Sequence, residues 1–189
     1  MPPRVKTTKE DIIEASLALV RAGGDRVLNA RSIAAALGCS TQPIFSNFSG
    51  MEELERETIA AAYAHYLEFL SRETESGAYP PYKAFGMAYI RFAREERELF
   101  KLLFMRNRTG EDLSPSPDYE ESARMIASAN GVSMETARLI HLEVWACVHG
   151  IATMLVTSFL PLEEELISTM LSDVYLGIRE RYREKEETK

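Results

Sequence analysis

GCSTQPIFSNFSG, residues 38–50, decides how the N-terminal part of this chain is read. Gly38 reads as a turn and Ser40 as a helix N-cap. Pro43 then falls at the third helical position. A missing N–H costs nothing there, because the first four N–H groups of a helix have no partner within it. Gly50 closes the stretch. A helix of about two turns gains little by itself. Ile44 and Phe48 are four apart and share a face, so they can anchor it. Thr41, Gln42, Phe45, Ser46 and Asn47 are left for the other faces.

Two helical patterns precede this stretch. Thr7 with Glu10 has the spacing of a capping box, and Ile12, Ala15, Ser16 and Leu19 repeat at helical spacing up to Gly23-Gly24, a C-terminal stop. Asn29 is a good N-cap for a second short helix, with Ile33, Ala34 and Leu37 on one face and Gly38 at its end. Three short helices with a tight turn between the second and third form the helix-turn-helix pattern. In that motif the third helix enters the major groove with its N-terminal side chains near base edges. Gln and Asn can pair bidentately with adenine, and Thr and Pro can touch the thymine methyl. Ser and Asn can hold phosphates.

TKEDIIEASLALVRAGG (8–24) followed by NARSIAAALGCSTQPIFSNFSGMEEL (29–54) resembles the N-terminal part of the tetracycline-repressor (TetR) family of bacterial transcription regulators. Arg31, Ile33, Ala34, Gly38, Ser40, Phe48 and Leu54 fall at the positions that the family pattern expects. The resemblance implies double-stranded operator DNA as partner, contacted through Asn29, Arg31, Ser40, Thr41, Gln42, Pro43, Phe45, Ser46 and Asn47. Three residues depart from the pattern. Asn29 replaces a Thr, Phe45 replaces a tyrosine whose hydroxyl meets a phosphate, and Met51 replaces a lysine. Fewer phosphate contacts imply weaker or less salt-dependent binding.

Charge is distributed in keeping with this reading, though faintly. The 189 residues carry a net charge of −7. Residues 1–50 hold six cations (Arg4, Lys6, Lys9, Arg21, Arg26, Arg31) and four acids (Glu10, Asp11, Glu14, Asp25), a balance of +2 that leaves −9 for the rest. A mildly basic small unit on an acidic body suits a DNA reader better than the total suggests.

Past residue 50 nearly every segment reads as helix. A long amphipathic run starts near Met51. Further helices are expected at 82–95 and 97–106, from Asp118 to Asn130, from Ser133 to Phe159, and from Glu163 to about Arg183, with a loop at 107–117. The expected fold is all-α: an N-terminal three-helix helix-turn-helix domain (1–50) on a larger helical ligand-binding and dimerisation domain (51–189). WACVHGIATM (145–154) is similar to a W-x-x-x-H-G-x-A pattern of one C-terminal TetR subgroup. The resemblance implies a homodimer formed by the last two long helices and a pocket for a small-molecule effector. By family analogy Tyr66, Phe69, Tyr89, Phe92, Phe100, Phe104, Met125, Trp145 and His149 are candidates to line that pocket. Few cations stand among them, so the expected ligand is mostly apolar.

Other chemistries find little support. His141 and His149 are eight residues apart on one helix face, about 12 Å of rise, too far to share one ion. Cys147 and His149, two apart on a helix, point about 200° apart and cannot form a nucleophile–base pair. No acid–base pair, phosphate loop or metal cluster is recognisable, so neither enzymatic activity, nor a metal, nor a cofactor is expected. Two distant cysteines and no apolar leader point to a reducing, cytoplasmic setting. Residues 144–162 lack Asp, Glu, Lys and Arg, yet contain a histidine, a glycine and a terminal proline; a buried or interfacial helix is expected, not a membrane span. A second expectation stands beside the regulator: an all-helical small-molecule binding or adaptor module that no longer reads DNA.

Overall fold

The computed structural model describes residues 7–109 and 117–187, with side chains left aside at 117–118 and 184–187. Most of the loop expected at 107–117 lies outside the described residues. Described residues form nine α-helices and no strand: α1 (Lys9–Gly23), α2 (Ala30–Ala36), α3 (Gln42–Asn47), α4 (Met51–Thr74), α5 (Pro81–Glu95), α6 (Arg97–Phe104), α7 (Pro117–Asn130), α8 (Met134–Val156) and α9 (Glu164–Glu187). By packing, the chain divides into two compact units, residues 1–68 with 96–107, and residues 69–95 with 108–189.

The first unit holds α1, α2, α3, most of α4, and α6. Its capping box is set one residue later than expected. Thr8, not Thr7, is the N-cap: its hydroxyl accepts from the Asp11 N–H at 3.1 Å, and the Asp11 carboxylate accepts from the Thr8 N–H at 2.8 Å. Both Thr-x-x-acid spacings exist in the sequence, so spacing alone could not choose between them. The Asn29 cap is as expected; its Oδ1 accepts from the N–H groups of Arg31 and Ser32 at 3.1 and 3.0 Å. Gly38 takes a positive φ of 63°. The N–H of Gly38 reaches the Ala35 carbonyl and that of Cys39 the Ala34 carbonyl, which closes α2 in a Schellman turn.

Ile12, Ile33, Ala34, Ile44, Phe48 and Leu54 form the buried core of the three short helices and the start of α4. α6 lies against α1 within the same unit. Arg21 grips Glu96 with two nitrogens, at 2.9 and 3.2 Å, and His65 Nε2 meets the same carboxylate at 3.0 Å. Burial alone would raise the Glu96 pKa; the hydrogen bonds from Arg21 and His65 outweigh it and hold the carboxyl below the usual range.

In the second unit α8 packs against α5, α7 and α9. Ile140, Val144, Val148, Ile151 and Ala152 of α8 are buried with Met87 and Ile90 of α5, Ile126 of α7, and Ile167 and Leu171 of α9. Gly86 permits the close approach: a Cβ there would stand 3.4 Å from both Leu171 Cδ1 and Val148 Cγ2. α8 is apolar and long enough to cross a membrane by composition, a test that a core helix also passes. It stops at Val156, three residues short of the expected end. Ser158 adopts a φ of 55°, and the Ser158 and Phe159 N–H groups cap the Leu155 and Met154 carbonyls. This is a helix stop made by a serine where a glycine is usual.

Candidate nucleic-acid interface

α2, the Gly38 turn and α3 set out the candidate residues. Ile44 is 1% exposed and Phe48 3%, so the two anchors sit in the core as their spacing of four predicts. Anchoring them turns the opposite side of α3 outward. Gln42, Phe45 and Ser46 are exposed; Thr41, Pro43 and Asn47 are half-buried. Phe45 is 55% exposed. α3 itself starts one residue later than expected: Thr41 occupies the N-cap position and Pro43 lies in the first two helical positions. Ser40 does not cap it; Thr41 bonds through its carbonyl instead, accepting from the Ile44 N–H at 3.2 Å. Ser40 is thus left exposed on the turn.

Several polar groups are already engaged. Asn47 Nδ2 donates to the Pro43 carbonyl at 2.8 Å and the Thr7 carbonyl at 3.4 Å. Ser46 Oγ donates to the Gln42 carbonyl at 2.9 Å. Asn29 spends its Oδ1 on the α2 cap and donates from Nδ2 to the Val27 carbonyl at 3.1 Å. These bonds fix the side chains against their own backbone.

Among residues 7–50 the cations also differ in availability. Lys9 pairs with Glu57 at 3.2 Å and Glu53 at 3.7 Å and lies 5.0 Å over the Phe48 ring. Arg21 is committed to Glu96. Arg26 and Arg31 are exposed and take part in no ion pair among the described residues. Met51 begins α4 half-buried against the helix-turn-helix core. Ser49 donates through both N–H and Oγ to Glu53 at 2.7 Å, and these two bonds hold the Glu53 carboxyl below its ordinary range.

The aromatic residues expected to line a pocket fall in both units. In the first, Tyr66 meets Phe104 edge-on at 5.1 Å, and Phe100 lies 5.1 Å from Phe104. In the second, Phe69 and Phe92 form an edge-to-face pair at 5.4 Å. There the Tyr89 hydroxyl meets His149 Nδ1 at 2.9 Å, and Trp145 stacks on His149 at 5.1 Å. Met125 on α7 is half-buried. Phe92 and Phe100 are fully buried, while Trp145 is 42% exposed.

A polar group that sequence reasoning misses sits in the second unit. The Tyr82 hydroxyl bonds His141 Nδ1 at 2.9 Å, Tyr119 packs edge-on against His141 at 4.6 Å, and Asn130 donates to the Tyr175 hydroxyl at 2.9 Å. A signal for it does exist. Tyr82 and Tyr89 are seven apart on α5, and His141 and His149 eight apart on α8, so the two helices can pair twice.

Residues 82–171, from α5 into α9, match the family model described as tetracyclin repressor-like, C-terminal domain. Over these residues the chain carries a TetR-like C-terminal domain. Its described residues are all-helical, as in that fold. Two solved structures share the TetR fold over nearly the whole chain. A TetR-like transcriptional regulator from Rhodococcus sp. RHA1 is 16% identical, with a TM-score of 0.68 over 93% of this chain and 97% of its own. A TetR-family member from Streptomyces coelicolor A3 is 17% identical, with a TM-score of 0.60 over 88% of this chain and 96% of its own. At such identities the likeness speaks for the TetR fold alone. No curated protein matches the chain in sequence.

Proposed function

We propose that this chain is a TetR-family regulator, a ligand-responsive repressor that binds a palindromic operator as a homodimer and is released by a small, mostly apolar effector. One observation carries the DNA-reading part. α3 is pinned by Ile44 and Phe48, its outward side carries the exposed Gln42 and Phe45, and Arg31 of α2 is exposed as well. A recognition helix needs an apolar back and an outward reading edge, and an exposed cation such as Arg31 can serve the phosphates. The remaining candidates, Asn29, Ser40, Thr41, Pro43, Ser46 and Asn47, complete the proposed interface.

Exposed apolar side chains support the homodimer. Leu139, Leu142 and Trp145 of α8 and Leu166 and Leu176 of α9 are each more than 40% exposed. Two long helices with such faces suit a self-complementary two-fold interface, and a two-fold protein suits a palindromic site. The effector reading rests on the TetR-type helical body and its aromatic supply. An effector that binds one helix arrangement better than another shifts the protein toward that arrangement.

A second reading, a helical small-molecule binding or adaptor module that no longer reads DNA, is favoured by the engaged Lys9 and Arg21 and by Met51. A gel shift with the DNA upstream of the protein's own coding region separates the two. A discrete complex resisting excess random DNA supports the repressor; no complex at low salt supports the adaptor.

A further inference from the structure

The side chains of α3 do not stand equally free to meet DNA. Asn47 and Ser46 are bonded to backbone carbonyls, Pro43 is half-buried, and Ile44 and Phe48 face the core. Gln42 and Phe45 remain. Phe45 is the one large hydrophobic residue exposed among described residues 7–50. A phenyl ring held in water on an otherwise polar face gains free energy when it meets an apolar surface. The apolar group that a major groove displays is the thymine C5-methyl. Gln42 and Phe45 are three apart, so they share a face and lie about 4.5 Å apart along the axis. That is near the ~3.4 Å spacing of successive nucleotides along a strand.

We propose that Phe45 is a specificity residue of α3 that reads a thymine C5-methyl group in the operator, within two base pairs of the position contacted by Gln42. This rests on the DNA reading above. The residue that replaces a phosphate-binding tyrosine thereby serves sequence discrimination by apolar contact.

The test uses the full-length protein. DNA is first selected from a random duplex library, and each thymine of the enriched half-site is then replaced by deoxyuridine, which removes only the methyl group. Wild type is expected to lose about fourfold in affinity per half-site at one thymine, the worth of one buried methyl-sized group. Phe45→Ala should bind the thymine and uracil duplexes alike and still discriminate at the Gln42 position. That retained discrimination shows the variant folded. An enriched site at which no uracil substitution matters overturns the proposal, as does a Phe45→Ala variant that keeps the full methyl dependence. A selection that enriches no sequence overturns both this proposal and the DNA reading beneath it.

Discussion

Gln42 carries the sharpest expectation at the scale of one residue. It is exposed at the first position of α3, and no hydrogen bond from the described residues holds its amide. Gln42→Ala should weaken specific binding by about 1–3 kcal/mol, the worth of one good base contact, and leave binding to random DNA unchanged. Fluorescence anisotropy on selected and scrambled duplexes measures both; equal losses on the two would remove Gln42 from base reading. Met51 tests the phosphate side. Its side chain lies half-buried against the core, so a lysine there must lay its methylenes along that surface and carry the ammonium outward. Met51→Lys should steepen the dependence of log K on log salt by about one unit, because it adds one cation. Phe45→Tyr adds none and should leave the slope as it was. An unaltered slope in Met51→Lys places this helix end away from the DNA backbone. The anchors of this site were legible because Ile44 and Phe48 share a helical period. The engagement of Ser46 and Asn47 was not, since a side chain's choice between its own backbone and an outside partner leaves no mark on spacing.

At the scale of helices, α5 and α8 are pinned by two tyrosine–histidine hydrogen bonds. Burial lowers the His141 pKa to about 4, and burial also lowers that of His149. Burial raises Tyr82 and Tyr89 above the ordinary phenol range, so both phenols stay neutral. A histidine whose pKa falls on folding stabilises the fold fully above its unfolded value near 6.5 and loses that contribution as pH drops toward 4. Urea unfolding at pH 7.5 and pH 4.5 should therefore differ by about 2 kcal/mol or more in the wild type. His141→Gln should shrink the difference; a variant that keeps all of it would assign the acid sensitivity to other groups. Most helix boundaries were readable from periodicity and glycine stops. The early end of α8 was not, because a serine at φ 55° stands in for a glycine. The start of α3 was blurred for a related reason: Ser40 and Thr41 are both good caps, and only the fold chooses.

At the scale of the whole molecule, the homodimer is the reading most directly open to measurement. Leu142, Trp145, Leu166 and Phe159, the last 78% exposed, leave a lone chain with much apolar surface in water. Sedimentation at micromolar concentration should show a dimer, and Leu142→Glu with Leu166→Glu should shift it to monomer; a wild-type monomer would reject the two-fold assembly. The all-helical class was readable from the sequence, whereas the division by packing was not. It depends on a contact that spans 75 positions, Arg21 to Glu96, which no local pattern announces. That contact bears on how such proteins are recombined. The first unit is assembled from two separate pieces of chain, since α6 returns to lie on α1. A chimera joined at residue 50 would carry α1 without its own α6, and Arg21 would lose the carboxylate it grips. The first unit is therefore no detachable cassette: a graft meant to transplant the proposed DNA-reading helices should bring residues 96–107 along, or choose a recipient whose sixth helix already offers an acid at that place.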